Sequence, residues 1–109
     1  MSEEDKNLVT LEGYDASFRF PERVSVKTAL KYWSIVTAAM NTEYRLLRQW
    51  EACVQCGFLQ DWDCERFPDP KIPLEEVPEE DEMYVSQVIM VVAARCQNFM
   101  MNTRSVEKN

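Results

Sequence analysis

The sequence predicts an all-α fold with three principal helices, an N-terminal arm and an acidic, proline-rich crossover loop. Three observations support this prediction. Apolar residues recur at intervals of three and four over three stretches, which is the spacing of a helix with one buried face. Four of the five prolines fall between residues 68 and 78, where they forbid a continuous helix. A chain of 109 residues fits one domain with one hydrophobic core.

Residues 1–24 are predicted to form the arm, which precedes a single helical domain at residues 25–109. Val9 and Leu11 alternate with polar residues, and the aromatic residues that follow have no helical period. Because these apolar side chains need burial, we expect the arm to lie across the domain or against a partner.

Two helices are predicted between Ser25 and Gly57. Ser25 fits the N-cap position of the first helix, and Asn41 or Thr42 can end that helix and cap the second. Gly57 marks the end of the second helix. The apolar stripes of the two helices are Val26, Ala29, Leu30, Trp33, Val36, Thr37 and Met40, and Tyr44, Leu47, Trp50, Val54 and Phe58.

The crossover loop covers about residues 61–80, and the third helix follows it. Acidic residues 79–82 fall in the first turn of this helix, where they suit the positive end of the helix dipole. The apolar stripe of the third helix is broad enough to predict contacts on more than one side. Four apolar residues are expected to anchor the loop on the helices: Trp62, Phe67, Ile72 and Leu74.

Trp33 and Trp50 are predicted to pack together at the centre of the core, because both occupy stripe positions on neighbouring helices. Together with Trp62, Tyr32 and Tyr44 they also fit an aromatic box for a cationic ligand, although their stripe positions favour packing. Tyr32 lies off the stripe and is expected to face solvent or a partner. The predicted core consists of Leu30, Trp33, Leu47, Trp50, Val88, Ile89 and Val92.

The charge is distributed unevenly along an acidic chain of net charge −7. Residues 19–48 carry +4, whereas residues 61–82 carry −8. Either the loop folds back over the first two helices, or the positive surface of one copy meets the negative surface of the next in a head-to-tail assembly. The predicted partner-binding residues are Arg23, Lys27, Lys31, Arg45, Arg48, Glu75, Glu76, Glu79, Glu80 and Asp81.

The composition argues against several classes of function. An excess of acidic residues disfavours binding to nucleic acid or to anionic membranes. The N-terminus is acidic where a signal peptide would be basic, and no apolar run is long enough to span a membrane. The chain has no His and only two glycines, and no phosphate-binding loop or hydrolase motif occurs. We therefore predict no enzymatic activity, no catalytic residue and no cofactor.

The four cysteines are Cys53, Cys56, Cys64 and Cys96. Four thiols are the number that a zinc site or an iron–sulfur cluster needs. However, Cys64 and Cys96 are isolated instead of forming a second close pair, and Cys96 lies on an apolar stripe. We interpret all four as buried or half-buried thiols that bind no metal.

Five short motifs of the sequence occur together in one known kind of protein. They are Phe20-Pro21-Glu22-Arg23-Val24-Ser25-Val26, Arg45 to Trp50, Asp61-Trp62-Asp63-Cys64-Glu65 with Pro68-Asp69, the helix around Val88 and Ile89, and Val106-Glu107-Lys108-Asn109. With these motifs, roughly residues 20–109 resemble small proteins encoded in the tail modules of long-tailed bacteriophages, commonly described as tail assembly chaperones or minor tail components. The resemblance implies a non-enzymatic helical protein that binds other virion or assembly proteins, in the host cytoplasm or in the virion.

The favoured hypothesis is protein binding during phage tail or virion assembly, with self-association as a further option. Two alternatives come from other classes. One is an acidic inhibitor that mimics nucleic acid to block a host defence protein. The other is a metal-binding regulator that uses the four cysteines.

Overall fold

The structure is a computed structural model that describes residues 7–108, with side chains described up to residue 102. It contains three strands and three α-helices, with two single-turn 3₁₀ helices before the last one. The elements are β1 (Leu8–Leu11), β2 (Ala16–Arg19), α1 (Val26–Ala38), α2 (Arg45–Gln55), β3 (Gln60–Cys64), the 3₁₀ helices Leu74–Glu76 and Glu79–Asp81, and α3 (Glu82–Lys108).

The prediction of an all-α helical bundle is wrong, because a three-stranded antiparallel sheet makes the fold mixed α and β. The strands lie in the order β1-β2-β3, with Leu11 opposite Ala16 and Ala16 opposite Cys64. Short strands gain their hydrogen bonds from distant segments, and β3 follows β2 only after two helices. Helical periodicity does not report such pairing.

The predicted arm contributes two of the three strands. In the part of it that the structure describes, residues 7–24, Gly13 and Asp15 adopt positive φ angles between β1 and β2. Val9, Leu11 and Phe18 point into the core on the alternate positions of a half-buried strand. The division at residue 24 remains a prediction, and residues 1–6 lie outside the described part of the chain.

The predicted outer limits of the helical hairpin α1–α2 agree with the structure, whereas the predicted boundary at Asn41 or Thr42 does not, because α1 ends at Ala38 and α2 begins at Arg45. The Ser25 hydroxyl accepts a hydrogen bond from the Thr28 backbone N–H at 3.1 Å, which confirms the N-cap. At the end of α2, Gly57 has a φ of +71°, and the Phe58 N–H donates to the Cys53 carbonyl at 3.0 Å. This Schellman motif ends α2 and turns the buried Phe58 into the core. Thr42 lies in the connection and does not cap α2.

Helix α3 packs against α2 and against the sheet. The rings of Phe20 and Phe99 stack in parallel with their centroids 4.1 Å apart. The Tyr84 hydroxyl donates to the Tyr14 carbonyl in the β1–β2 turn and contacts the Cys64 thiol at 3.2 Å. One core therefore joins all three helices to the sheet.

The predicted core is correct in part. Trp50, Val88, Ile89 and Val92 are buried, as expected, and Trp33 and Leu47 are half-buried. Leu30 is exposed. The predicted Trp33–Trp50 pair is replaced by other ring contacts, which are Trp33 with Tyr32, and Trp50 with Trp62 and Phe67.

The predicted crossover loop contains regular structure at both ends. Its first residues belong to β3, and the two 3₁₀ helices precede α3. Trp62 donates its indole N–H to the Phe67 carbonyl at 2.6 Å, and Ile72 and Leu74 pack against the core. These contacts confirm the four predicted anchors.

Candidate protein-binding site

The orientation of α1 determines which surface the protein offers to others. Tyr32 is fully buried and Val36 is buried, whereas Val26 and Leu30 are 66% and 65% exposed. Tyr32 packs against Phe58 and Trp33, so the expectation that it faces solvent or a partner is wrong. The helix is therefore rotated from the predicted stripe, and part of its apolar surface faces outward.

We call the exposed side of this helix the α1 face. It combines two apolar and two basic side chains, because positions three and four apart share one side of a helix. Contiguous apolar surface rimmed by polar residues marks an interaction site, and Val26 and Leu30, one turn apart, form a small patch of this kind. The α1 face consists of Val26, Lys27, Leu30, Lys31 and Ser34.

The structure exposes all five predicted basic residues. Arg23 precedes α1, Lys27 and Lys31 lie on the α1 face, and Arg45 begins α2. Arg48 forms an ion pair with Glu51 at 2.6 Å within α2. Met40 and Tyr44 are also exposed in the connection between the two helices, so apolar surface continues beyond α1 in the sequence.

Four of the five predicted acidic residues are exposed: Glu75, Glu76, Glu79 and Glu80. Asp81 differs, because Arg66 donates to its carboxylate through Nε at 3.1 Å and Nη2 at 2.8 Å. The Arg66 guanidinium also lies 4.2 Å above the centre of the Tyr84 ring. Asp81 therefore fastens the loop to α3.

The crossover lies along α2 without neutralising it. Residues 70–75 and α2 line an open cavity of about 400 Å³, with Leu47, Trp50 and Ile72 among its apolar walls. Within residues 7–102, no ion pair joins the predicted basic residues to Glu75, Glu76, Glu79 or Glu80. The loop thus folds back over α2, and both charged surfaces keep their outward-facing groups.

The four thiols are distributed through the core. Cys53 and Cys96 are fully buried, and burial raises the pKa of Cys53, as does the adjacent Cys96. Burial also raises the pKa of the half-buried Cys56 thiol, against the opposing effect of Lys31. No group of three or more Cys, Asp or Glu in the described residues is placed to hold a metal ion. The interpretation as buried or half-buried thiols is confirmed.

The aromatic residues do not form one box. Trp50, Trp62 and Phe67 contact one another at centroid distances near 6 Å, whereas Tyr32 and Trp33 lie with Phe58. Tyr44 is largely exposed. A chain of ring contacts through Phe99, Phe20 and Phe18 joins these two groups, so packing in one core replaces the ligand cage.

Sequence reasoning missed the outward direction of Val26 and Leu30, since both belong to the predicted core stripe. It also missed the exposed Met83 and Met90 of α3. The breadth of the apolar stripe of α3 could have indicated these exposed methionines, because a broad stripe predicts a second side of the helix that makes contacts.

Comparisons of the chain with protein-family models, with curated proteins and with solved structures gave no significant match. Among residues 7–108, no helix combines the length and the apolar character needed to cross a lipid bilayer. The exposed α1 face and the charged surfaces are therefore the structural features that bear on function.

Proposed function

We propose that this chain is a non-enzymatic protein-binding protein of bacteriophage tail or virion assembly, and that its α1 face docks on another assembly protein. The observation that carries the proposal is the exposure of Val26 and Leu30, about two-thirds each, beside Lys27 and Lys31. The resemblance of residues 20–109 to small phage tail-module proteins supports the setting, in the host cytoplasm or in the virion.

The chemistry of the α1 face specifies the kind of partner. Burying Val26 and Leu30 would supply most of the affinity, because removal of apolar surface from water is the dominant favourable effect in association. Lys27 and Lys31 beside them would steer an acidic partner and fix its orientation. The expected partner segment therefore presents an apolar ridge edged by carboxylates.

The test uses the double variant Val26→Gln/Leu30→Gln, because glutamine keeps the helix propensity and removes the apolar surface. The purified chain is first assayed for binding to each protein encoded by the genes that neighbour its own. We expect the variant to bind the partner at least tenfold more weakly in calorimetry, with an unchanged melting temperature. Leu8→Gln, at an exposed apolar position on strand β1, is the control.

A charge-reversal arm tests the electrostatic part of the proposal. Lys27→Glu/Lys31→Glu should slow association and reduce its dependence on salt. The acidic residues are tested with the variant Glu79→Lys/Glu80→Lys. Asp81 is left unchanged, because it forms an ion pair with Arg66 within the protein. Unchanged affinity in Val26→Gln/Leu30→Gln would refute the α1 face, and absence of binding to every tail-module protein would refute the setting.

A further inference from the structure

Helix α3 has an exposed apolar side, in addition to its buried side, that the proposed function does not use. Met83 and Met90 are 73% and 52% exposed, and Met101 is exposed by a similar fraction. The side is uncharged along its centre, in a chain with 28% charged residues. From residue 83 to residue 101 it extends about 27 Å, at a helical rise of about 1.5 Å per residue. We call it the α3 face, and it consists of Met83, Gln87, Met90, Ala94, Gln97 and Met101, with Gln97 half-buried at its margin.

The α3 face has the spacing of a coiled-coil seam. Its positions follow one another at intervals of four, three, four, three and four, which is the alternation of a heptad repeat. The opposite side of α3, with Val88 and Val92 at its centre, is buried in the protein's own core. The breadth of the apolar pattern thus reflects two sides, one internal and one external.

The α3 face is also symmetric about residue 92. Two antiparallel copies in this register place Met83 opposite Met101, Gln87 opposite Gln97, and Met90 opposite Ala94. The arrangement brings like chemistry together at the ends and sets a long side chain against a small one near the centre. Such alternation of large and small residues lets two helices approach closely.

The acidic residues at the start of α3 favour the same arrangement. Glu79 and Glu80 just before the helix and Glu82 in its first turn are exposed. Antiparallel pairing keeps these acidic residues of the two copies at opposite ends of the contact and opposes the two helix dipoles favourably. Parallel pairing would bring two acidic starts together.

We infer that the α3 face is a homodimerisation surface, on which a second copy of this chain packs its own α3 antiparallel about a two-fold axis at residue 92. Methionine side chains suit such a contact, because they are flexible and polarisable and adapt to one another. A single helix-to-helix contact is small, so the dimer should form in the micromolar to millimolar range. This inference does not depend on the phage setting or on the α1 face.

The first experiment measures the oligomeric state of the full chain by sedimentation velocity over a concentration series. We expect a reversible monomer–dimer equilibrium, and Met90→Glu should raise its dissociation constant at least tenfold. Glutamate preserves helix propensity, and the two-fold axis brings both introduced charges close together. Val26→Gln/Leu30→Gln should leave the dimer intact. A wild-type chain that stays monomeric at millimolar concentration would overturn the inference.

The second experiment tests the register with single-cysteine variants and a short bis-maleimide crosslinker. In the antiparallel register, Met83→Cys and Met101→Cys should give crosslinked dimers only when the two variants are mixed. Two copies of residue 83 would lie about 27 Å apart, beyond reach of the reagent. The wild-type chain controls for Cys56 and the buried thiols. Crosslinking of Met83→Cys to itself would replace the antiparallel dimer with a parallel one, and no crosslinking above wild type would refute the α3 face as the contact.

Discussion

At the scale of single residues, the thiols show how burial determines chemistry. Cys53 on α2 and Cys96 on α3 are fully buried, and burial raises the pKa of Cys53. The Cys53 thiol therefore stays protonated at neutral pH and packs as a small apolar residue. Tyr32 is also fully buried, and burial raises the pKa of its hydroxyl. Ionisation of Cys53 or Tyr32 would place a charge in the core.

We therefore predict that stability falls at alkaline pH. In the unfolded chain a thiol loses its proton above about pH 8.5, whereas the raised pKa keeps Cys53 protonated in the folded state. The unfolded state then binds fewer protons, so rising pH favours unfolding by about 1.4 kcal/mol per pH unit for each such group. Urea unfolding from neutral pH to about pH 10 measures the slope.

The variant Cys53→Ala isolates the contribution of one thiol. The unfolding free energy of the variant should fall less steeply with pH than that of the wild type, by about 1.4 kcal/mol per pH unit. At neutral pH the variant should be less stable, because the smaller side chain leaves unfilled volume in the core. Equal slopes for the two proteins would show that Cys53 does not titrate differently in the two states.

At the scale of elements, α1 shows the limit of a helical pattern. Its predicted apolar stripe is wider than the single contact that α2 offers, so only part of it can be buried. The hairpin buries Tyr32 and Val36 and exposes Val26 and Leu30, because an aromatic ring removes more apolar surface from water than an aliphatic side chain. The element was predicted correctly, and its rotation was not.

The end of α2 provides a prediction about a single position. Gly57 has a φ of +71°, which costs an L-residue about 1 to 2 kcal/mol. No neighbouring atom would clash with an added Cβ, so this backbone cost should be the whole effect of Gly57→Ala. Chemical denaturation should therefore report a loss of about 1 to 2 kcal/mol. Gln55→Ala, at an exposed position two residues earlier, should change stability by less than about 0.5 kcal/mol.

At the scale of the whole molecule, one flat core unites the sheet and the helices. The protein measures 46 × 40 × 18 Å, so it is about two layers thick. In so thin a molecule each helix has a side that the core does not reach, and the α1 and α3 faces are two such sides. Phe18 from the sheet lies within the same core as Val88 and Val92 of α3.

The joint core predicts that strands β1 and β2 are essential for folding. Phe18→Ala should cost about 3 to 5 kcal/mol, which is a large fraction of the stability of a small domain. Leu8→Ala, on an exposed position of the neighbouring strand, should cost less than about 1 kcal/mol. Urea unfolding compares the two variants. Equal stabilities would mean that residues 1–24 form an arm outside the core.

The sequence by itself determined the features that depend on near neighbours. Periodicity located three helices, Ser25 and Gly57 marked helix ends, and the prolines excluded a helix between residues 68 and 78. The same local evidence gave the charge asymmetry, the exposure of the basic residues of α1 and α2, and the burial of Trp50, Val88 and Val92.

Only the tertiary structure decided which segments meet. Pairing of β2 with β3 joins residues more than 40 positions apart, and no local pattern encodes that partnership. The rotation of α1, the ring contacts of the aromatic residues and the ion pair of Asp81 with Arg66 likewise depend on contacts between distant segments. Hydrophobic burial is non-directional, so a sequence can specify that an apolar side chain is buried without specifying against what. The tertiary contacts therefore also decide which apolar side chains stay exposed on the α1 and α3 faces, on which the two proposals depend.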